Sequence, residues 1–134
     1  MLTTTLDKIS RWLKGKGQGH LSTPEGKQAV FALWYKDLAV GELRLENGVW
    51  SFRYTQMFKR QSEIKPVPDF PDLDRVYESK ELHPFFMQRI PSLNQPKVKA
   101  KIVEEGIDGN NEVELLELFG KVSITNPFKL TISN

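Results

Sequence analysis

The chain has no cysteine, only two histidines, no long apolar run and almost no net charge. Without cysteine there are no disulfides and no thiolate metal sites, which agrees with a reducing, cytoplasmic setting. His20 and His83 are far apart, and neither has a His or carboxylate partner at i+3 or i+4, so zinc-type ligation is not expected. Nothing approaches the roughly 20 apolar residues that span a bilayer, and the N-terminus lacks the apolar stretch of a secretory signal. Met1 is followed by Leu2 rather than the glycine that myristoylation requires. Net charge is +2, unevenly placed. Residues 1–27 hold five basic residues against Asp7 and Glu25, net +3, and the rest holds fourteen against fifteen, net −1. A direct nucleic-acid platform normally shows a larger positive field, so none is expected in the folded part.

What remains is an ordinary globular composition, 39% apolar and 27% charged over 134 residues, about one domain's worth. Residues 2–14 fit a short amphipathic helix capped by Thr5, with Leu2, Leu6, Ile9 and Leu13 on one stripe and Trp12 beside it. Three uses stay open for it: a docking or self-packing helix, a membrane-surface helix using Trp12 with Lys8, Arg11 and Lys14, or a weak phosphate contact. Gly15-Lys16-Gly17-Gln18-Gly19 breaks that helix. It lacks the Ser or Thr after Gly-Lys, and the preceding strand, that a phosphate loop needs, so it reads as a linker. This places a boundary near Lys27, between residues 1–27 and a domain over 28–134.

Residues 29–35 form an unbroken apolar and aromatic run, predicted to be a strand covered on both faces. Lys36-Asp37 turns into a second strand over 39–45, and Asn47-Gly48 is the signature of a type I′ hairpin. Beyond it Trp50, Phe52 and Tyr54 alternate with Ser51 and Arg53, which places three aromatics on one face. Together these make a three-stranded antiparallel meander, with Trp34, Trp50, Phe52 and Tyr54 expected in the core. Residues 56–80 show no period of 2 or 3.6 and are expected to be an irregular connection. Pro84 suits the first turn of a short helix carrying Phe85, Phe86 and Ile90. Ser92 with Gln95 predicts a helix over 93–105 stopped by Gly106, and Asn111 with Glu114 predicts another ending at Gly120. Residues 122–132 read as a short extended tail. The expected fold is α+β, a small meander packed with three short helices, plus the N-terminal amphipathic helix.

No nucleophile elbow is present, and Glu104-Glu105 and Glu112 with Glu114 look like solvated helix faces rather than a catalytic pair. No catalytic, cofactor-binding or metal-binding residue is assigned. In the irregular connection, Met57, Phe58, Phe70 and Tyr77 either fold back onto the domain or anchor a partner, because aromatics and methionine are enriched at interface cores. Taken as a contact, these four would be the apolar anchors, with Lys59 and Arg60 steering approach to an acidic rim.

The order of these elements around Glu81-Leu82-His83-Pro84-Phe85-Phe86-Met87-Gln88-Arg89-Ile90-Pro91-Ser92 resembles the N-terminal subdomain of HipA-type serine/threonine kinases. The meander comes before this motif, and the helix over 111–119, Gly120-Lys121 and Asn126-Pro127-Phe128 come after it. The resemblance covers roughly residues 28–132. It implies a cap that packs against a kinase core, with the catalytic and metal-binding aspartates in later subdomains whose motifs do not occur here. The chain is similar to the separate HipS-type component of HipBST toxin–antitoxin operons. The resemblance therefore implies a non-enzymatic antitoxin whose partner is a HipA-like kinase toxin, with a helix-turn-helix DNA-binding protein of the same operon as the further candidate partner. Completing and activating a split kinase, or acting as a DNA-binding accessory through residues 1–27, are the other expectations.

Overall fold

The computed structural model describes residues 26–133. The expected helix over 2–14 and the linker after it lie outside the described residues. Five strands form one antiparallel sheet in the order β4-β3-β2-β1-β5. They are β1 (Ala29–Tyr35), β2 (Leu38–Glu46), β3 (Val49–Tyr54), β4 (Tyr77–Ser79) and β5 (Lys129–Ile132). Four helices complete the described part: α1 (Gln56–Lys59), α2 (Pro84–Met87), α3 (Pro96–Glu105) and α4 (Glu112–Phe119). The architecture is α+β, as expected.

The meander forms for local reasons. Asn47 and Gly48 both have positive φ, 53° and 77°, the combination that closes a two-residue hairpin without splaying the strands. Lys36 also takes a positive φ, 52°, at the turn between β1 and β2. Alternation then sorts the side chains. Phe31 and Leu33 of β1, Leu43 and Leu45 of β2, and Trp50, Phe52 and Tyr54 of β3 are all buried in one core. Gly41 allows this packing, since a Cβ there would run into the Phe52 ring and lie 2.8 Å from the Arg53 carbonyl oxygen. Two expectations are corrected here. β1 is not covered evenly on both faces, because Ala32 and Trp34 alternate with Phe31 and Leu33 and are only half-buried. Trp34 accordingly sits outside the core, its indole N–H donating to Thr131 Oγ1 at 3.0 Å.

The helices close the core from the aromatic side. The Phe86 ring of α2 lies 5.6 Å from Phe52. The Trp50 indole donates to the buried Glu112 carboxylate of α4 at 3.4 Å. Pro84 occupies the first turn of α2, and His83 Nδ1 accepts the Phe85 N–H at 3.0 Å, so this histidine is a helix cap. α3 begins at Pro96 rather than residue 93, with Gln95 as its N-cap. The physical reason is the proline. It holds Gln95 in the extended region and pre-sets the first helical φ, which displaces the start from Ser92. Gly106 ends α3 in the left-handed conformation, φ 66°, as expected. Asn111 caps α4 by accepting from Val113 and Glu114, but the Glu114 carboxylate accepts from the Asp108 N–H at 2.8 Å instead of reaching back to Asn111.

The tail is more structured than its sequence suggests. Residues 129–132 pair with β1 as an edge strand, with Leu33 opposite Leu130.

Candidate partner-binding surface

The irregular connection is a strap fastened to the sheet. It starts at Thr55, whose hydroxyl donates to the Ala39 carbonyl and accepts the Phe58 N–H at 3.0 Å, capping the single turn of α1. That turn has two faces. Phe58 points inward and stacks on Tyr54, centroids 4.9 Å apart and planes 13° apart. Met57 points outward and is 56% exposed. The Gln61 side chain then staples the next turn, donating to Phe58 and Ile64 carbonyls and accepting the Ile64 N–H at 2.9 Å.

Tyr54 is the main fastening. Its hydroxyl donates to the Phe70 carbonyl at 2.7 Å and accepts the Val67 N–H at 2.9 Å. Burial pushes the phenol up to about 12, partly offset by the Val67 N–H, which favours the charged form. A neutral phenol is what the geometry requires, since only the protonated oxygen donates to Phe70. Phe70 in turn is the centre of an aromatic cluster, 4.6 Å from Phe52, 5.0 Å from Tyr77, 4.7 Å from His83 and 5.8 Å from Phe85. The strap then turns at Asp72, whose N–H donates to the Tyr77 hydroxyl at 2.8 Å, and joins the sheet as β4. The Arg75 guanidinium lies over the Tyr77 ring, 4.9 Å from its centroid.

Two concavities border the strap. A cavity of about 110 Å³ is walled by Trp50, Phe52, Phe70, Tyr77 and Phe86, with Arg75, Glu81 and His83 among its polar groups. A more open groove of about 570 Å³ runs between the β1–β2 turn, from Tyr35 to Leu38, and residues 60–64.

The six residues expected at the contact separate by exposure. Phe58 and Phe70 are each 1% exposed, so as anchors for a partner they are corrected. Their rings belong to this chain's own core, because the strap folds back far enough for Tyr54 and Phe52 to bury them. Met57 and Arg60 face outward, and Tyr77 is half-buried at the β4 edge. Lys59 is partly engaged, its ammonium 3.3 Å from Asp74. Met57, Lys59 and Arg60 are thus brought together on α1 and the residue after it, while Tyr77 lies on the opposite arm of the strap. Sequence reasoning missed Tyr54 and Gln61 as fasteners. Alternation shows that Tyr54 faces inward, but no local pattern reveals which backbone groups its hydroxyl meets.

The family model of the HipA N-terminal domain matches residues 31–124, well over half of the chain. The chain belongs to the HipA N-terminal domain family. The matched span runs from Phe31 in β1 through all four helices and stops before β5, so the strap and both concavities lie inside this HipA N-terminal domain. No curated protein matches the chain. Among the described residues of this domain, no helix is long and apolar enough to cross a membrane.

Proposed function

We propose that the chain is a non-catalytic partner of a HipA-like kinase, binding the kinase toxin and restraining it as an antitoxin. The observation that carries this reading is the family match across the whole strap-bearing fold. The resemblance to the cap of HipA-type kinases calls for a surface that meets a kinase core. The outward side of α1 supplies one: Met57 is an exposed apolar side chain flanked by Lys59 and the exposed Arg60. Their backbone is already held by Thr55, Gln61 and Tyr54, so little chain entropy is lost on docking. An apolar anchor beside cations fits a partner patch with an apolar floor and an acidic rim.

The test is binding of a HipA-like kinase that lacks this N-terminal domain, followed by titration calorimetry. Met57→Asp together with Arg60→Glu should weaken binding roughly thirtyfold, a loss of about 2 kcal/mol. Unchanged affinity in this double variant, with the fold intact, would move the contact away from α1. In this reading the isolated chain neither hydrolyses ATP nor transfers phosphate, and turnover that vanished on a point substitution would overturn that part.

A further inference from the structure

Between α4 and β5, residues 121–128 form a closed loop whose ends are joined by the Leu130 N–H donating to the Lys121 carbonyl at 2.9 Å. One buried guanidinium holds it. Arg89, 4% exposed, donates through Nη1 to the Gly120 carbonyl at 3.0 Å. Its Nη2 donates to Asn126 Oδ1 at 3.1 Å and to the Phe128 carbonyl at 2.9 Å. Burial lowers the Arg89 pKa to about 10, which still leaves the group charged at neutral pH. Within the loop, the Ser123 and Thr125 hydroxyls are 2.9 Å apart. The Phe128 ring seats the return arm edge-on against Tyr35 at 6.0 Å and Phe85 at 6.2 Å.

This well-fastened loop carries apolar side chains that contribute nothing to the core: Ile124 is fully exposed and Val122 is 59% exposed. Both are β-branched and stiff at χ1, so docking them costs little side-chain entropy. The charged side chains next to them in the chain are positive. Lys121 and Lys129 are exposed on either side, and no carboxylate side chain follows Glu117. The loop also adjoins the proposed contact, since Tyr35 lines the groove beside Arg60 and also touches Phe128.

We propose that the 121–128 loop is a second contact on the same kinase, with Ile124 and Val122 entering an apolar pocket rimmed by carboxylates and Arg89 acting as the positioning residue. This rests on the kinase-partner reading above. The test uses the full chain and a HipA-like kinase that lacks this N-terminal domain, with Ile124→Asp, Val122→Asp, Lys121→Glu and Met57→Asp measured in parallel. Ile124→Asp should weaken binding roughly tenfold or more while leaving the thermal midpoint unchanged, because the side chain is solvent-exposed in the chain alone. Lys121→Glu should lower the association rate and flatten its salt dependence. If both loop aspartates bind as the unaltered chain does while Met57→Asp is weakened, the loop inference falls and the kinase reading stands. If the unaltered chain does not bind the kinase, both fall. Should the unaltered chain self-associate and Ile124→Asp abolish only that, the loop contacts a second copy and the inference is overturned.

Discussion

Replacing Phe70 by alanine tests whether the strap is part of the core or a surface offered to a partner. The ring is surrounded by Phe52, Tyr77, His83, Phe85 and Phe86, with centroids between 4.6 and 6.0 Å away. Removing a buried phenylalanine costs about 3–5 kcal/mol, from lost transfer energy and the cavity left behind. The Phe70 backbone would keep its bond to Tyr54, so the cost should sit near the middle of that range rather than beyond it. Against a typical stability of about 5–15 kcal/mol, a loss of this size lowers the melting temperature by on the order of 15 °C or more. Urea unfolding followed by tryptophan fluorescence measures it directly, because Trp50 lies in the same core. The midpoint should drop sharply with little change in slope. Met57→Ala is the control, expected within about 0.5 kcal/mol of the unaltered chain because the side chain is exposed. A Phe70→Ala protein as stable as the parent would refute the packing argument and return Phe70 to the list of partner anchors.

Tyr54→Phe should cost about 1–3 kcal/mol, since it leaves the Val67 N–H and Phe70 carbonyl without their partner. Its pH signature is specific: a phenol raised from 10.0 to about 12 contributes stability that is level below pH 10 and lost between pH 10 and 12, and the variant should lack that component in alkaline urea titrations. Gly41→Ala should destabilise by about 1–3 kcal/mol, because the added methyl meets the Phe52 ring and the Arg53 carbonyl; an unchanged thermal midpoint would contradict it. Arg89→Gln should lose bonds worth about 1.5–3 kcal/mol, and hydrogen exchange should rise most at residues 121–128; uniform protection there would show that the guanidinium does not hold the loop.

Features set by neighbours in the chain were legible in the sequence. Asn47-Gly48 announced its hairpin, Pro84 its helix start and Gly106 its helix stop, because each depends on the φ angle of one or two residues. The inward face of β3 was equally plain from Trp50, Phe52 and Tyr54 alternating with polar residues. The strap was not legible, because its order comes from contacts distant in sequence. Phe58 and Phe70 carry no periodic signal, and what turns them inward is Tyr54 and the aromatic cluster. The single turn of α1 and the three residues of β4 are too short for any period to show. β5 escaped for a similar reason, its pairing partner being β1 at the far end of the chain. Of the proposed contact residues, exposure alone separates Met57 from Phe58, adjacent positions that composition treats alike.

Kinase autophosphorylation, titrated with this chain, tests the central claim most directly. A HipA-like kinase that lacks this N-terminal domain is incubated with ATP and magnesium, and phosphate incorporation is followed as the chain is added. Incorporation should fall to background as binding saturates, and Met57→Asp with Arg60→Glu should need roughly thirtyfold more protein for the same effect. Autophosphorylation that is unaffected, or that rises as the chain is added, would contradict the account.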